Sequence, residues 1–178
     1  MRFLKKASLV ILVLLIIAAV ALYLMPTQYK VERSMVIEAK PEAIHAIVDD
    51  FRTWEQWSAW NTELDPTIKR TFSGPEKGVG SKMSWQGDKV GIGYIAWTAS
   101  DPTQGVRYDL DFNDGEMKST GAIAYEPLGT GTRVTWSNEG DVKDSIVGRA
   151  LRPFFDKMMG PDFEKGLSRL KTLAESKK

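Results

Sequence analysis

The sequence has no cysteine and only one histidine, His45, in 178 residues. The absence of cysteine excludes disulfide bonds, thiolate nucleophiles and thiolate metal ligands. With one histidine, a zinc site would need several carboxylates at metal-ligand spacing, and the sequence shows no such group. We therefore predict no metal site, no cofactor and no assignable catalytic residue.

The sequence contains neither the P-loop of nucleotide-binding proteins nor the G-x-S-x-G nucleophile motif of hydrolases. The segment GIGYIA at residues 91–96 fits G-x-G-x-x-A. It enters a predicted strand instead of linking a strand to a helix, so it does not predict a dinucleotide site. The chain has 24 Lys+Arg and 23 Asp+Glu, and the first 25 residues contain basic but no acidic side chains. The remainder is slightly acidic, which argues against nucleic acid as a partner.

The longest uncharged stretch covers residues 7–25, ASLVILVLLIIAAVALYLM. A helix of that length measures about 28 Å, close to a hydrocarbon core of about 30 Å. We interpret it as a transmembrane anchor, with a basic cytoplasmic N-terminus at 1–6, a linker at 26–28 and a folded domain at 29–178. The basic N-terminus places that domain outside the cytoplasm, which is the periplasm if the source is a Gram-negative bacterium. The alternative is a secreted protein whose signal peptide is cleaved near Ala21.

The spacing of apolar residues after residue 28 predicts the order of elements. An alternating segment predicts a first strand, and PEAIHAIVDDF then has the spacing of a short amphipathic helix. Between residues 67 and 139, short alternating runs separated by Gly, Pro, Asn and Asp predict about six antiparallel strands. Helical spacing returns from residue 144, and Gly160-Pro161 predicts a kink or break in that final helix.

Four segments resemble a known superfamily: DFRTWEQWSAWNTELDPTIKRTFSGPEKGVG, MSWQG, YEPLGTGTRVTW and DFEKGLSRLK. In this order they are similar to the START-like, Bet v 1-like (SRPBCC) superfamily in its polyketide cyclase/dehydrase branch, over residues 29–175. The resemblance implies an α+β helix-grip fold, in which a curved antiparallel sheet wraps around a long C-terminal helix and two short helices follow the first strand. It also implies a cavity for lipids, sterols, hormones or polyketides, with catalysis in a minority of members.

The segment FRTWEQWSAW contains three of the six tryptophans, spaced three residues apart. The resemblance places this segment beside the cavity entrance. We interpret Trp54 and Trp57 as core residues and Trp60 as a residue of the cavity. Strand parity and helical spacing then give the predicted ligand-binding residues, which are Trp60, Met83, Trp85, Tyr108, Leu110, Phe112, Tyr125, Trp136, Phe154 and Met158.

Ionisable residues outside this set are interpreted as ordinary surface groups. His45 is expected to be partly exposed on the first helix, and Asp49-Asp50 and residues 63–65 to be solvated. Alternation along VRYDLDF puts Asp109 and Asp111 on the outward face of their strand. If the cavity performs chemistry, parity makes Tyr108 and Tyr125 the best-placed groups.

Three functional hypotheses follow. The first is a membrane-anchored module that binds a hydrophobic or amphipathic small molecule, such as a lipid, between sheet and C-terminal helix. The second is a cyclase- or dehydratase-type enzyme acting on an apolar substrate. The third is a protein-interaction or chaperone-like domain with a closed cavity. An apolar tunnel in the structure would favour the first hypothesis. An enclosed cavity with convergent polar groups would favour the second, and a filled interior the third.

Overall fold

Seven segments of alternating apolar residues form one antiparallel sheet in the order β1–β7–β6–β5–β4–β3–β2. The structure is a computed structural model that describes residues 2–115 and 117–176. Its strands are β1 (Gln28–Ile37), β2 (Lys69–Ser73), β3 (Lys82–Gly87), β4 (Gly91–Asp101), β5 (Gly105–Phe112), β6 (Met117–Leu128) and β7 (Gly131–Asp141). Its helices are α1 (Arg2–Leu24), α2 (Pro41–Val48), α3 (Trp54–Trp57), α4 (Ile146–Leu151) and α5 (Phe155–Glu175). The predicted meander and the two short helices after the first strand are confirmed.

Strand register follows the expected alternation in the centre of the sheet. On β5, Val106 and Tyr108 are buried while Arg107 and Asp109 are exposed. Gly105 begins this strand with a φ of 106°, and a Cβ there would collide with the carbonyl of Ile123 on β6. Glycine at this position therefore allows the backbone conformation that ends the β4–β5 turn. It also leaves room for β5 to pair closely with β6.

Helix α5 packs across the sheet through a buried stripe of Phe163, Leu167 and Leu170. Arg33 of β1 holds its first half, because the guanidinium binds Asp156 at 2.8 Å and Glu164 at 2.6 Å. Gly160 lies between these two acids, and a Cβ there would collide with the Arg33 guanidinium. Glycine at this position allows the helix to approach β1 closely enough for both ion pairs.

Of the kink or break predicted at Gly160-Pro161, the break is wrong, because α5 runs without interruption from Phe155 to Glu175 with Pro161 inside it. Buried Phe155 and Phe163 anchor the helix on both sides of the proline, and tertiary packing supplies most of the stability of such a helix. The interruption falls earlier, in a 3₁₀ turn at Arg152–Phe154 between α4 and α5.

Helix α1 meets the rest of the protein at its C-terminal end, beside α4. Arg149 donates a hydrogen bond to the carbonyl of Tyr23 at 3.0 Å, and its guanidinium lies 5.5 Å from the centre of the Tyr23 ring. Helix α4 has no buried residue, and Ile146 and Val147 are exposed. Across the described residues, no helix combines the length and apolar character needed to cross a membrane. The membrane anchor predicted over residues 7–25 is not confirmed.

Candidate functional site

A cavity of about 320 Å³ lies between the sheet, the α3 segment and α5. Strands β3 to β5 supply one wall, with Met83, Trp85 and Leu110 among its residues. The opposite wall is α5, where Met158 and Met159 face the same space. The lining is therefore mostly apolar and aromatic, as expected for a site that encloses a small organic molecule.

Eight of the ten predicted ligand-binding residues line this cavity. They are Trp60, Met83, Trp85, Tyr108, Leu110, Phe112, Trp136 and Met158. The structure places Tyr125 and Phe154 elsewhere. Tyr125 of β6 is buried against His45, with their ring centres 6.0 Å apart.

Phe154 is 54% exposed, and its neighbour Phe155 takes the inward position. Phe155 is 7% exposed and meets the ring of Tyr29 edge-on, with centres 4.7 Å apart. The 3₁₀ turn before α5 changes the helical phase, so a spacing counted continuously from α4 selects the wrong phenylalanine.

The three clustered tryptophans divide between core and cavity. Trp57 is fully buried, whereas Trp60 lines the cavity and meets Trp136 and Phe163 edge-on at 5.9 Å. Trp136 and Phe163 stack in parallel at 4.5 Å. Trp54 is 4% exposed and belongs to both regions. The aromatic cluster therefore extends from the buried core around α3 to the wall of the cavity.

Most polar groups in the cavity wall already have protein partners. The Tyr108 hydroxyl donates to the carbonyl of Ser137 at 2.9 Å and accepts from the Trp136 indole at 3.1 Å. Burial raises the pKa of Tyr108. Arg70 binds Glu55 at 2.6 Å and donates to the carbonyl of Trp60 at 2.7 Å. We interpret Tyr108 and Arg70 as structural groups, because they make these hydrogen bonds to other groups of the protein.

Two charged side chains in the lining differ from this pattern. Asp162 of α5 and Lys89 of the β3–β4 turn make no side-chain hydrogen bond or ion pair with the described residues. Asp162 is partly buried, and this burial raises the pKa of its carboxyl, with a smaller opposing effect from Lys165. Lys89 is exposed. Sequence reasoning missed both, although Asp162 interrupts an apolar stripe at helical spacing.

Several carboxylates predicted to be solvated are buried structural groups. Asp65 is 1% exposed and accepts hydrogen bonds from the backbone amides of Lys89 and Val90 at 2.8 and 3.0 Å. The hydrogen bond from the Thr67 hydroxyl, followed by those from the backbone amides of Lys89, Val90 and Thr67, holds the pKa of Asp65 well below its usual range. Asp111, expected on a wet face, is 7% exposed because the Asn113–Gly115 turn covers it and Gly115 donates to it at 2.7 Å. Asp109 is exposed as predicted.

The prediction that His45 is partly exposed is also wrong, because His45 is 8% exposed. Ser100 of β4 donates to Asp49 at 2.7 Å and lies 3.2 Å from Nε2 of His45. Since the serine proton is used for Asp49, Nε2–H of a neutral His45 donates to the serine oxygen. Burial lowers the pKa of His45 more than Asp49 raises it. This cluster fastens α2 to β4 outside the cavity.

Among the residues that the structure describes, no three His, Cys, Asp or Glu side chains come together as a metal site. The GIGYIA segment lies at the start of β4, paired with β3 on one side and β5 on the other. It leads into a sheet and not into a helix, so it does not have the geometry of a dinucleotide-binding turn.

A curved sheet closed by a C-terminal helix, with an apolar cavity between them, defines the helix-grip class. Residues 28–175 match the family described as polyketide cyclase / dehydrase and lipid transport, and the chain belongs to that family. No curated protein matches the chain.

Several solved structures share this fold. Norcoclaurine synthase from Thalictrum flavum, solved with dopamine and hydroxybenzaldehyde, is 15% identical with a TM-score of 0.62, over 88% of this chain and 91% of that one. The di-domain ARO/CYC protein of the steffimycin biosynthetic pathway is 8% identical with a TM-score of 0.64, over 85% of this chain and 52% of that one. A Chromobacterium violaceum protein is 18% identical with a TM-score of 0.58, over 85% of this chain and 99% of that one. At these identities the likeness concerns the fold alone.

Proposed function

We propose that the protein is a binding module for a hydrophobic or amphipathic small molecule, held between the sheet and α5. The observation that carries this proposal is the cavity of about 320 Å³ with an aromatic and aliphatic lining. Burial of an apolar ligand there is favourable by about 25 cal/mol for each Å² removed from water. An interaction domain with a closed interior is less well supported, because this interior has room for a ligand.

A cyclase- or dehydratase-type enzyme is the second candidate, and one observation favours it. Asp162 and Lys89 line the cavity without protein partners, so either could exchange a proton with a substrate. The tyrosines named from the sequence are weaker candidates. Tyr108 uses its hydroxyl in two internal hydrogen bonds, and Tyr125 lies outside the cavity.

We also propose that α1 attaches the protein to a membrane, with the binding domain outside the cytoplasm. The support is the exposure of its apolar side chains, such as Leu9 and Ile17 at 62% and 58%, together with the basic residues that precede them. Ligands dissolved in that membrane would then be close to the binding domain.

The binding proposal is tested with N-phenyl-1-naphthylamine, a neutral apolar fluorophore. Energy transfer from tryptophan to the probe reports probe bound to the protein, and the substitutions below test whether it is bound in the cavity. We expect saturable binding to the full chain. Leu110→Lys should weaken it by roughly tenfold or more, because the longer lysine side chain enters the space that the probe would occupy and places a charge against its apolar rings.

Asp109→Lys is the matched control, because Asp109 is adjacent on β5 but exposed on the other face of the sheet. It introduces the same side chain and should leave probe affinity within about twofold. Absence of saturable binding to the wild-type chain would refute the proposal. Equal effects of the two substitutions would show that the probe binds outside the cavity.

A further inference from the structure

The cavity-facing stripe of α5 contains one acidic residue in an apolar row. Phe155, Met158, Met159, Asp162 and Phe163 all line the cavity, and their spacing places them on one face of the helix. Partial burial removes some of the hydration of the Asp162 carboxylate, and no hydrogen bond or ion pair with the described residues replaces it. Its presence therefore points to a role that a ligand completes.

The neighbouring cations do not supply that partner. Lys165 is one turn along α5, but its ammonium is 3.8 Å from Glu63, a residue that also pairs with Arg169. The charge of Arg70 is offset by Glu55 at 2.6 Å. Lys89 is exposed, so water and salt screen its charge. Within the described lining, Asp162 is the one partly buried charged side chain with no hydrogen bond or ion pair, and Lys165 acts on it only as a nearby charge.

The other walls favour the same sign of charge in a ligand. Trp60, Trp85, Trp136 and Phe112 present aromatic rings to the cavity. The faces of such rings attract cations, and indole does so most strongly. A carboxylate in an aromatic enclosure is thus complementary to an organic ammonium group carried on an apolar body.

We propose that Asp162 is the specificity-determining residue of the cavity and that it selects ligands carrying a protonated amine. This rests on the proposed binding function and names the ligand class of the same site. The apolar body of the ligand contacts the aromatic and methionine side chains, and its ammonium donates hydrogen bonds to the Asp162 carboxylate. Desolvation raises the pKa of the Asp162 carboxyl in the unliganded cavity, and a bound ammonium would lower it again.

Three naphthalene compounds with the same ring test this selection: 2-(2-naphthyl)ethylamine, 2-naphthaleneethanol and 2-naphthylacetate. Each competes with N-phenyl-1-naphthylamine for the full chain at pH 7 and low salt. We expect the amine to bind at least tenfold more tightly than the alcohol, and the carboxylate most weakly. Asp162→Asn should reduce the affinity for the amine at least tenfold and leave that for the alcohol within about twofold.

Asp156→Asn is the control for net charge, because Asp156 lies on the same helix but pairs with Arg33 outside the cavity. It should keep the preference for the amine. Thermal unfolding of both variants verifies that they are folded.

The possible failures are distinguishable. If the alcohol and the fluorophore bind but the amine has no advantage, or if Asp162→Asn leaves that advantage intact, the inference about Asp162 is refuted and the binding function stands. Preferred binding of the carboxylate, lost in Lys89→Gln, would assign selection to Lys89 and also refute it. If none of the compounds binds, the proposed function itself fails, and the inference with it.

Discussion

Two buried tyrosines on neighbouring strands allow a sharp test of the hydrogen bonding in this fold. Tyr108 and Tyr125 are 3% and 7% exposed. The Tyr108 hydroxyl accepts from Trp136 and donates to Ser137, whereas the Tyr125 hydroxyl has no hydrogen-bond partner among the described residues. The same substitution, tyrosine to phenylalanine, should therefore have opposite consequences at the two sites.

Tyr108→Phe leaves the Trp136 indole N–H buried without an acceptor, and Trp136 is 1% exposed. An unsatisfied buried donor of this kind costs about 1–3 kcal/mol. Little compensating repacking is available, because the Tyr108 ring lies against Gly121, where even a Cβ would collide with the hydroxyl. Tyr125→Phe removes a desolvated hydroxyl that has gained nothing in return. Its free energy of unfolding should be unchanged or slightly higher.

The measurement is urea denaturation of both variants and the wild type, followed by circular dichroism so that the altered tryptophan environment does not bias the signal. Comparable m-values would show that the same surface is exposed on unfolding, so that midpoint shifts report stability. Equal losses in the two variants would refute the reasoning, since they would mean that the Tyr125 hydroxyl is also satisfied in the folded protein.

Two further predictions concern titration and orientation. Because the pKa of His45 is lowered from its ordinary value of 6.5, the unfolded chain binds more protons around and below that pH, and stability should fall as the pH drops through and below about 6.5. His45→Asn should flatten this dependence without changing probe affinity, and an unaltered pH profile would contradict it. The proposed orientation predicts that, in intact cells, an impermeant maleimide labels a cysteine introduced at Lys118 but not one at Lys6. The reverse pattern would overturn the orientation, and the absence of native cysteine keeps the background low.

The sheet could be predicted from the sequence because its signal is local. Alternation along each strand and the turn residues between strands fix which faces are apolar, and hairpin connections give the order of β2 to β7. The pairing of β1 with β7 joins segments about a hundred residues apart, so no local pattern predicts it. The same parity correctly brought Tyr108, Leu110 and Phe112 to one wall of the cavity. The choice of Phe154 failed for an equally local reason, because a 3₁₀ turn interrupts the helical spacing and passes the inward position to Phe155.

The polar groups were harder to predict because their environment depends on residues far away in the chain. His45 and Asp49 are buried by their contact with Ser100, which lies more than fifty residues later. Asp111 is covered by a turn whose closure cannot be read from strand parity. The environment of Asp162 also depends on distant residues. The sequence shows it only as an acid that interrupts an apolar stripe, and the packing of α5 over the aromatic side chains of the sheet places it in the lining of an apolar cavity. That packing turns an ordinary aspartate into the group best placed to distinguish one ligand from another.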